Sequence, residues 1–475
     1  MKTVASIIVI GALAACSGDR PNCEVCPAQG NACVQPGACT PASCDRPIVT
    51  SALPSEQVQH LGTQKVGTEL SFNVPPDAGS VTIVQQAKVA GLTVIYQNQA
   101  IDNSAVPLTI TFPDGGIAYD DNDPAVASIV RGSPDGGSDL SGFYAAFAGD
   151  SPNTAAFTFP NTSASLGAGV PEGTWKFVVN DYANECTLIS GCSDGGSSDS
   201  TYDVTVVTRT QPQGSVLDVA FYIVADMSTS SGQPLRATNA TTDTSVQRMV
   251  QSFRNIFAQV GITANVTFYD VDATARARFG TNLDVTNTGP CEQMNQMFTL
   301  SGANPGSVMN LFLVNGLSEN TPSGSFTTVG IDGTIPGPSS FNGTVQSGAV
   351  VSIADLFSGL ANCGGALNVL GCGADLVAMI AAHESGHFLG LFHTTERTGD
   401  QFDPLTDTPK CPCSSCVRTS ERSRCGTANP PQDVTSCVSP PTCAGGDNLM
   451  FWLVNPGAKL SPQQGQVMSL NPLVH

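Results

Sequence analysis

Histidine is scarce in this 475-residue chain, which has five against 48 glycines and 32 prolines. Charge is scarce as well. Only 12% of residues are Asp, Glu, Lys or Arg, and 19 cations face 39 anions, a net charge of −20. So few Lys and Arg exclude the electrostatic grip on phosphates that nucleic acid requires, and they offer no attraction to anionic lipid headgroups. The acidity suits either a solubilising surface on an exported protein or cationic partners, and composition leaves both open. With 41% hydrophobic residues the chain is nevertheless globular, and its length allows two or three domains. Few Lys and Glu beside many Thr, Val, Gly and Pro favour strands and loops over long helices. Long apolar runs are missing except at the N-terminus.

That exception is VASIIVIGALAA (4–15), which follows Lys2 and is too short to span a membrane as a mature helix. It reads as a signal peptide, residues 1–15, ending in Leu13-Ala14-Ala15-Cys16. This ending resembles the lipobox of bacterial lipoproteins. The resemblance implies cleavage before Cys16, lipidation of Cys16 and a membrane anchor through it. Ser17 in the next position points to the outer membrane or cell surface, and a plain secreted protein is the alternative. Export makes disulfides the default for the cysteines beyond Cys16. Five of these fall in residues 23–44, two are Cys186 and Cys192, and nine run from Cys291 to Cys443. Two odd counts mean that full pairing needs a bridge between regions, or that thiols stay free. A free thiol could cap a metal as a removable ligand, so latency and an accessory role for the N-terminal half both stay open.

Residues 16–50 are rich in Cys and Pro, lack apolar periodicity and read as a tether. Between 51 and 209 come short alternating runs such as Glu69–Val74, Val81–Val84, Gly173–Val179 and Tyr202–Val207, with Asp-Gly-Gly turns at 114–116, 135–137 and 194–196. They predict an all-β sandwich or jelly-roll-like domain. GTWKFVVND (173–181) resembles the closing strands of jelly-roll domains attached to secreted bacterial proteases. Asp120-Asp121-Asn122-Asp123 is either a Ca²⁺ loop or a solvated acidic turn. TQPQGS (210–215) reads as a linker. From 216 to 475 the pattern changes to α/β: a buried strand (217–224), then Val246, Met249, Val250, Phe253, Ile256, Phe257 and Val260 at helical spacing, then strands at 262–270 and 308–315. SGAVVSI (347–353) is expected as the exposed edge strand beside a second helix, which is expected to be N-capped near Asp375.

The second helix holds the scarce residue. AAHESGHFLGLFH (381–393) contains three of the five histidines. His383 and His387, four apart on a helix, share one face. Gly390 can take a positive φ, end the helix and bring His393 back toward them. Three imidazoles on one centre suit Zn²⁺ with an open position, and Glu384 sits beside them as a candidate base. A closed structural zinc site would need four protein ligands and usually uses cysteine.

HESGHFLGLFH is similar to the HExxHxxGxxH pattern of metzincin metalloproteases. The resemblance covers roughly residues 217–475. It implies a metzincin catalytic domain with a twisted mixed sheet, zinc on His383, His387 and His393, and Glu384 as general base. It also implies a methionine turn, for which Asp447-Asn448-Leu449-Met450 is the match, and a last helix, for which Ser461-Pro462-Gln463-Gln464 reads as the start. HTTE after the third histidine and Asp407-Thr408-Pro409 look most like the pappalysin branch. That likeness implies Ca²⁺ near Asp400, Asp403, Asp407 and Thr408. Trp452 stands where a tyrosine is common, and no tyrosine follows Tyr269. The expected function is therefore a zinc-dependent endopeptidase acting on protein or peptide substrates. The alternative is a non-enzymatic surface adhesin or binding lipoprotein with a vestigial metal site. Cys411-Pro412-Cys413-Ser414-Ser415-Cys416 reads as disulfide-bonded rather than as a second metal knuckle.

Overall fold

The structure is a computed structural model. It describes residues 52–87, 109–120, 154–181, 200–210, 214–285, 292–304, 306–318, 327–396, 402–416, 443–454 and 457–475, together with short pieces between and before them. Cys16, the cysteines of residues 23–44, Asp121 to Asp123 and Asp400 lie outside the described residues. The architecture is mixed α/β with several sheets.

The N-terminal half holds two four-stranded antiparallel sheets. Its strands are β1 (Glu56–Lys65), β2 (Glu69–Val74), β3 (Ser80–Ala87), β4 (Thr109–Thr111), β5 (Ile117–Asp120), β6 (Thr154–Phe159), β7 (Gly173–Val178) and β8 (Thr201–Arg209). One sheet runs β5-β4-β7-β2 and the other β6-β3-β8-β1. In β7, Trp175 and Phe177 are buried while Thr174 and Lys176 are exposed, the period-two pattern of a strand covered on one face. Trp175 meets Phe112 and Phe159 edge-on, with ring centroids 4.8 and 5.3 Å apart, in a core that both sheets share.

Strands β3 and β6 hide that alternation because both of their faces are covered. Val81 and Ile83 belong to the core around Trp175, whereas Val84, Ala156 and Val207 pack on Phe341 of the C-terminal half. The two halves also meet through Arg209, whose guanidinium donates to the carbonyl of Ser469 at 2.6 Å, and Ser80, which donates to that of Leu470 at 2.5 Å. Close to the expected linker, the Gly214 N–H bonds the Ser469 carbonyl and Val216 exchanges backbone bonds with His475.

The C-terminal half is built on five strands and three helices. In chain order they are β9 (Val216–Ile223), α1 (Thr244–Ala258), β10 (Thr263–Asp270), β11 (Met309–Val314), β12 (Gly330–Asp332), β13 (Ala349–Ser352), α2 (Gly373–Phe388) and α3 (Pro462–Leu470). The sheet runs β10-β9-β11-β13-β12, parallel except for β12, which pairs antiparallel with β13. Helix α1 begins at Asp243, whose side chain accepts from Ser245 N and Val246 N, and it buries the apolar face that its spacing predicts. All sixteen residues of α2 are buried against α1 and the sheet.

Two expectations need correction. SGAVVSI is not the edge: β13 lies inside the sheet, between β11 and β12, which is why Ala349 to Ser352 are buried throughout. The edge is Gly330–Asp332, too short and too polar to show a strand period. Nor does Asp375 cap α2. Cys372 is the N-cap, and the Asp375 carboxylate is drawn instead to Arg248 of α1, at 2.7 and 2.8 Å. Cys372 is disulfide-bonded to Cys363, and two further bridges, Cys411–Cys443 and Cys413–Cys425, bind the loop after the helix. Cys411 and Cys413 are thus occupied, and the side chain of Cys416 lies outside the described residues.

Candidate metal centre

His383 and His387 leave the same face of α2, one turn apart. The helix stops at Leu389, and Gly390 takes φ 106°, a value open to glycine and strained for other residues, which turns the chain back. His393 thereby returns to the other two. The three Nε2 atoms form a triangle with sides of 3.0, 3.2 and 3.2 Å.

The opposite ring nitrogens fix the chemistry of that triangle. His383 Nδ1 is 2.6 Å from the Leu449 carbonyl, and His387 Nδ1 is 2.7 Å from the Leu391 carbonyl. A carbonyl only accepts, so both Nδ1 atoms carry the proton and both Nε2 atoms present lone pairs. His393 Nδ1 faces both carboxylate oxygens of Glu396 at 3.0 Å. A second proton is disfavoured: burial, and then the neighbouring imidazole charges, hold the pKa of His383 and His387 well below the ordinary range. Converging lone pairs at such distances repel unless a cation lies among them.

The donor set passes the test for zinc. Four ligands around Zn²⁺ at about 2.0–2.1 Å stand roughly 3.3 Å apart, close to the observed triangle. Neutral imidazoles suit zinc, and each carries the outer hydrogen-bond partner that metal-binding histidines normally have. Among the described residues these three form the one group of acids, cysteines or histidines arranged to hold a metal.

Glu384 is fully buried, and neither of its oxygens is reached by a hydrogen bond of ordinary geometry. Burial first, then the Asp332 carboxylate, raises its pKa well above the usual range, and the Asp332 backbone N–H only partly offsets them. Edge strand β12 supplies this neighbour. A Cβ on Gly330 would lie 2.5 Å from Glu384 Oε1, so only glycine lets the strand approach so closely. Asp332 is also fully buried, with no hydrogen bond of ordinary geometry to either oxygen, and burial pushes its pKa up to about 7 against the opposing pull of its own backbone N–H, of His393 and of the Thr334 N–H.

Met450 lies under the helix: a Cβ on Gly386 would come 2.6 Å from its sulfur. Its carbonyl accepts from Thr394 N, and the preceding Leu449 carbonyl holds His383. Asn448 ties this turn to Gln464 of α3, where Ser461 and Gln464 form the capping box with Pro462 at N1.

Of the residues expected for calcium, Asp400 lies outside the described residues, and the described carboxylates already have protein partners. Asp403 pairs with Lys410 and accepts from Thr408 Oγ1 at 2.6 Å, while Asp407 accepts from Ser461 Oγ and Gln463 N at 2.7 and 2.8 Å. Asp403 thus already has a cation, and Asp407 braces α3. Glu396, Gly330 and Asp332 were missed in the sequence. Glu396 had a local signal, since it lies three residues past His393. The other two had none, because their roles come from a distant strand laid against α2.

No known family model and no curated protein matches the chain. Among solved structures it is similar to the Bacillus licheniformis lipase BlEst2 in its propeptide form, at 12% identity over 34% of this chain and 23% of that one. The chain thus matches about a quarter of that structure's length, with a TM-score of 0.16, and no argument rests on it.

Proposed function

We propose that this chain is a zinc-dependent endopeptidase of metzincin type, most like the pappalysins, exported and anchored through a lipid on Cys16. Its C-terminal half is the catalytic domain, and the N-terminal half is a β-sandwich docked beside it. The observation that carries this reading is the triangle of Nε2 lone pairs, with a fully buried, unsatisfied glutamate next to it on the same helix.

His383, His387 and His393 hold the metal. When bound, the cation polarises a carbonyl and acidifies water. Glu384 accepts the proton of the attacking water and later delivers it to the leaving amine, a task suited to a carboxylate whose burial raises its proton affinity. The Leu449 and Leu391 carbonyls and Glu396 keep the three rings aimed inward. An extended peptide pairs with the backbone of edge strand β12, beside Glu384. The chain has no tyrosine after Tyr269, so no phenol from the zinc helix or the segment that follows it shares in stabilising the oxyanion.

The test is cleavage of denatured casein by the mature protein. Activity should vanish with a chelator, return with zinc, and be absent in folded Glu384→Ala. Zinc binding without cleavage of any substrate would favour the binding-lipoprotein alternative. No helix among the described residues is long and apolar enough to cross a membrane, so attachment is tested by metabolic labelling of Cys16 with fatty acid.

A further inference from the structure

Asp332 has no step of its own in peptide hydrolysis, yet its carboxylate is fully buried. A fully buried carboxylate that no hydrogen bond of ordinary geometry reaches, with only the backbone N–H groups of Asp332 and Thr334 near it and no Lys or Arg partner among the described residues, is disfavoured. It lies two residues from Gly330 on β12, so both face the same side of the strand. That side is fixed by Gly330, whose missing Cβ makes room for the Glu384 carboxylate. The charge of Asp332 is felt by Glu384, and that of His393 by Asp332. Two buried acids therefore lie beside the three imidazoles, and among the described residues neither acid forms an ion pair with a lysine or arginine. Two negative charges match one divalent ion. Asp332 itself stands outside the ligand set, because only the three histidine nitrogens lie within reach of one another.

We propose that Asp332 is the second carboxylate of the metal centre: a positioning residue that balances the cation's charge from outside its ligand shell. This rests on the reading that the three histidines hold a divalent metal. Without the metal, Asp332 destabilises the fold; with it, the same charge strengthens metal retention. A purely structural residue would not show that reversal.

The experiment uses the full mature chain and zinc alone as the probe. Zinc affinity is measured by competition with a chromogenic chelator, and melting is followed with and without zinc, for wild type, Asp332→Asn and Asp332→Ser. The expected result is zinc binding about ten- to a hundred-fold weaker in both variants, as for other outer-shell partners. Metal-free Asp332→Asn should melt at or above the metal-free wild type, and below wild type once zinc is added. Unchanged zinc affinity, or melting lowered equally with and without zinc, would overturn the role of Asp332 and leave the metal site standing. A wild type that binds no zinc would overturn both.

Discussion

Helix α2 carries two buried acids nine residues apart, and they have been treated in opposite ways. Asp375, in the first turn, receives Arg248 Nε and Nη2, Ser252 Oγ and Asn368 N. Burial pushes its pKa up, but these hydrogen bonds outweigh that and hold it below the ordinary value. Glu384, two turns on, is likewise closed to solvent, more deeply packed and without such partners, and its pKa is raised. Both side chains are closed to solvent, although Glu384 is packed more deeply, so exclusion of water alone does not separate a brace from a reactive centre. Satisfaction does. The N-terminal end fastens α2 to α1; the C-terminal end keeps its carboxylate unpaired beside converging lone pairs.

The sharpest way to break this contrast is to neutralise each acid in turn. Glu384→Gln should lower the peptidase rate by about 10²–10⁴-fold, the usual share of a general base. In the metal-free protein it should not lower the melting temperature, because it removes a buried charge that nothing there compensates. Steady-state kinetics and thermal melts on one preparation check both halves; a large loss of stability would place Glu384 with Asp375 among the braces.

Arg248→Met attacks the other end. It leaves Asp375 buried without its cation, for a cost of about 3–5 kcal/mol, read from urea midpoints. Nine residues of helix put Asp375 about 13 Å from Glu384, so the folded variant should keep its kcat/KM within a few-fold. Gly330→Ala lies between these extremes. Its Cβ would press on Glu384 Oε1 and on Ile380 Cγ2, 2.8 Å away. The expected result is a rate reduced about ten- to a hundred-fold, beyond what a packing cost of about 1–3 kcal/mol explains by unfolding. Full activity in Gly330→Ala would mean that the edge strand does not set the position of Glu384.

The same contrast explains what could be read before the fold was known. The three clustered histidines lie within eleven positions on one helix and its turn, so spacing alone brings them together, and the face of α1 follows from period 3.6. Gly330 and Asp332 matter only because β12 closes the sheet beside α2, a long-range contact that three residues cannot advertise. SGAVVSI was misplaced for a related reason: an apolar run fits an interior strand as well as an edge. Asp375 resembled a cap because an acid near a helix start usually is one, and its actual partner lies on another helix. The disulfide partners depend on where loops meet in space, which local pattern does not record.

Glu56 gives an intermediate case and the smallest effect. It sits where the two halves meet, accepts from Leu53 N at 2.8 Å and from Ser340 Oγ at 3.2 Å, and lies in the field of Arg209. Burial still wins, and its pKa is raised from 4.5 to about 6. The folded protein therefore holds this proton more tightly than the unfolded chain does. The resulting stability is fully present below pH 4.5 and is lost as pH rises through 6. A shift of that size corresponds to at most about 2 kcal/mol, reduced by whatever the partly exposed side chain loses to solvent screening. Urea midpoints from pH 4 to 7 should fall more steeply in the wild type than in Glu56→Gln. Equal slopes would mean that Leu53, Ser340 and Arg209 satisfy Glu56 as fully as Arg248 and its companions satisfy Asp375.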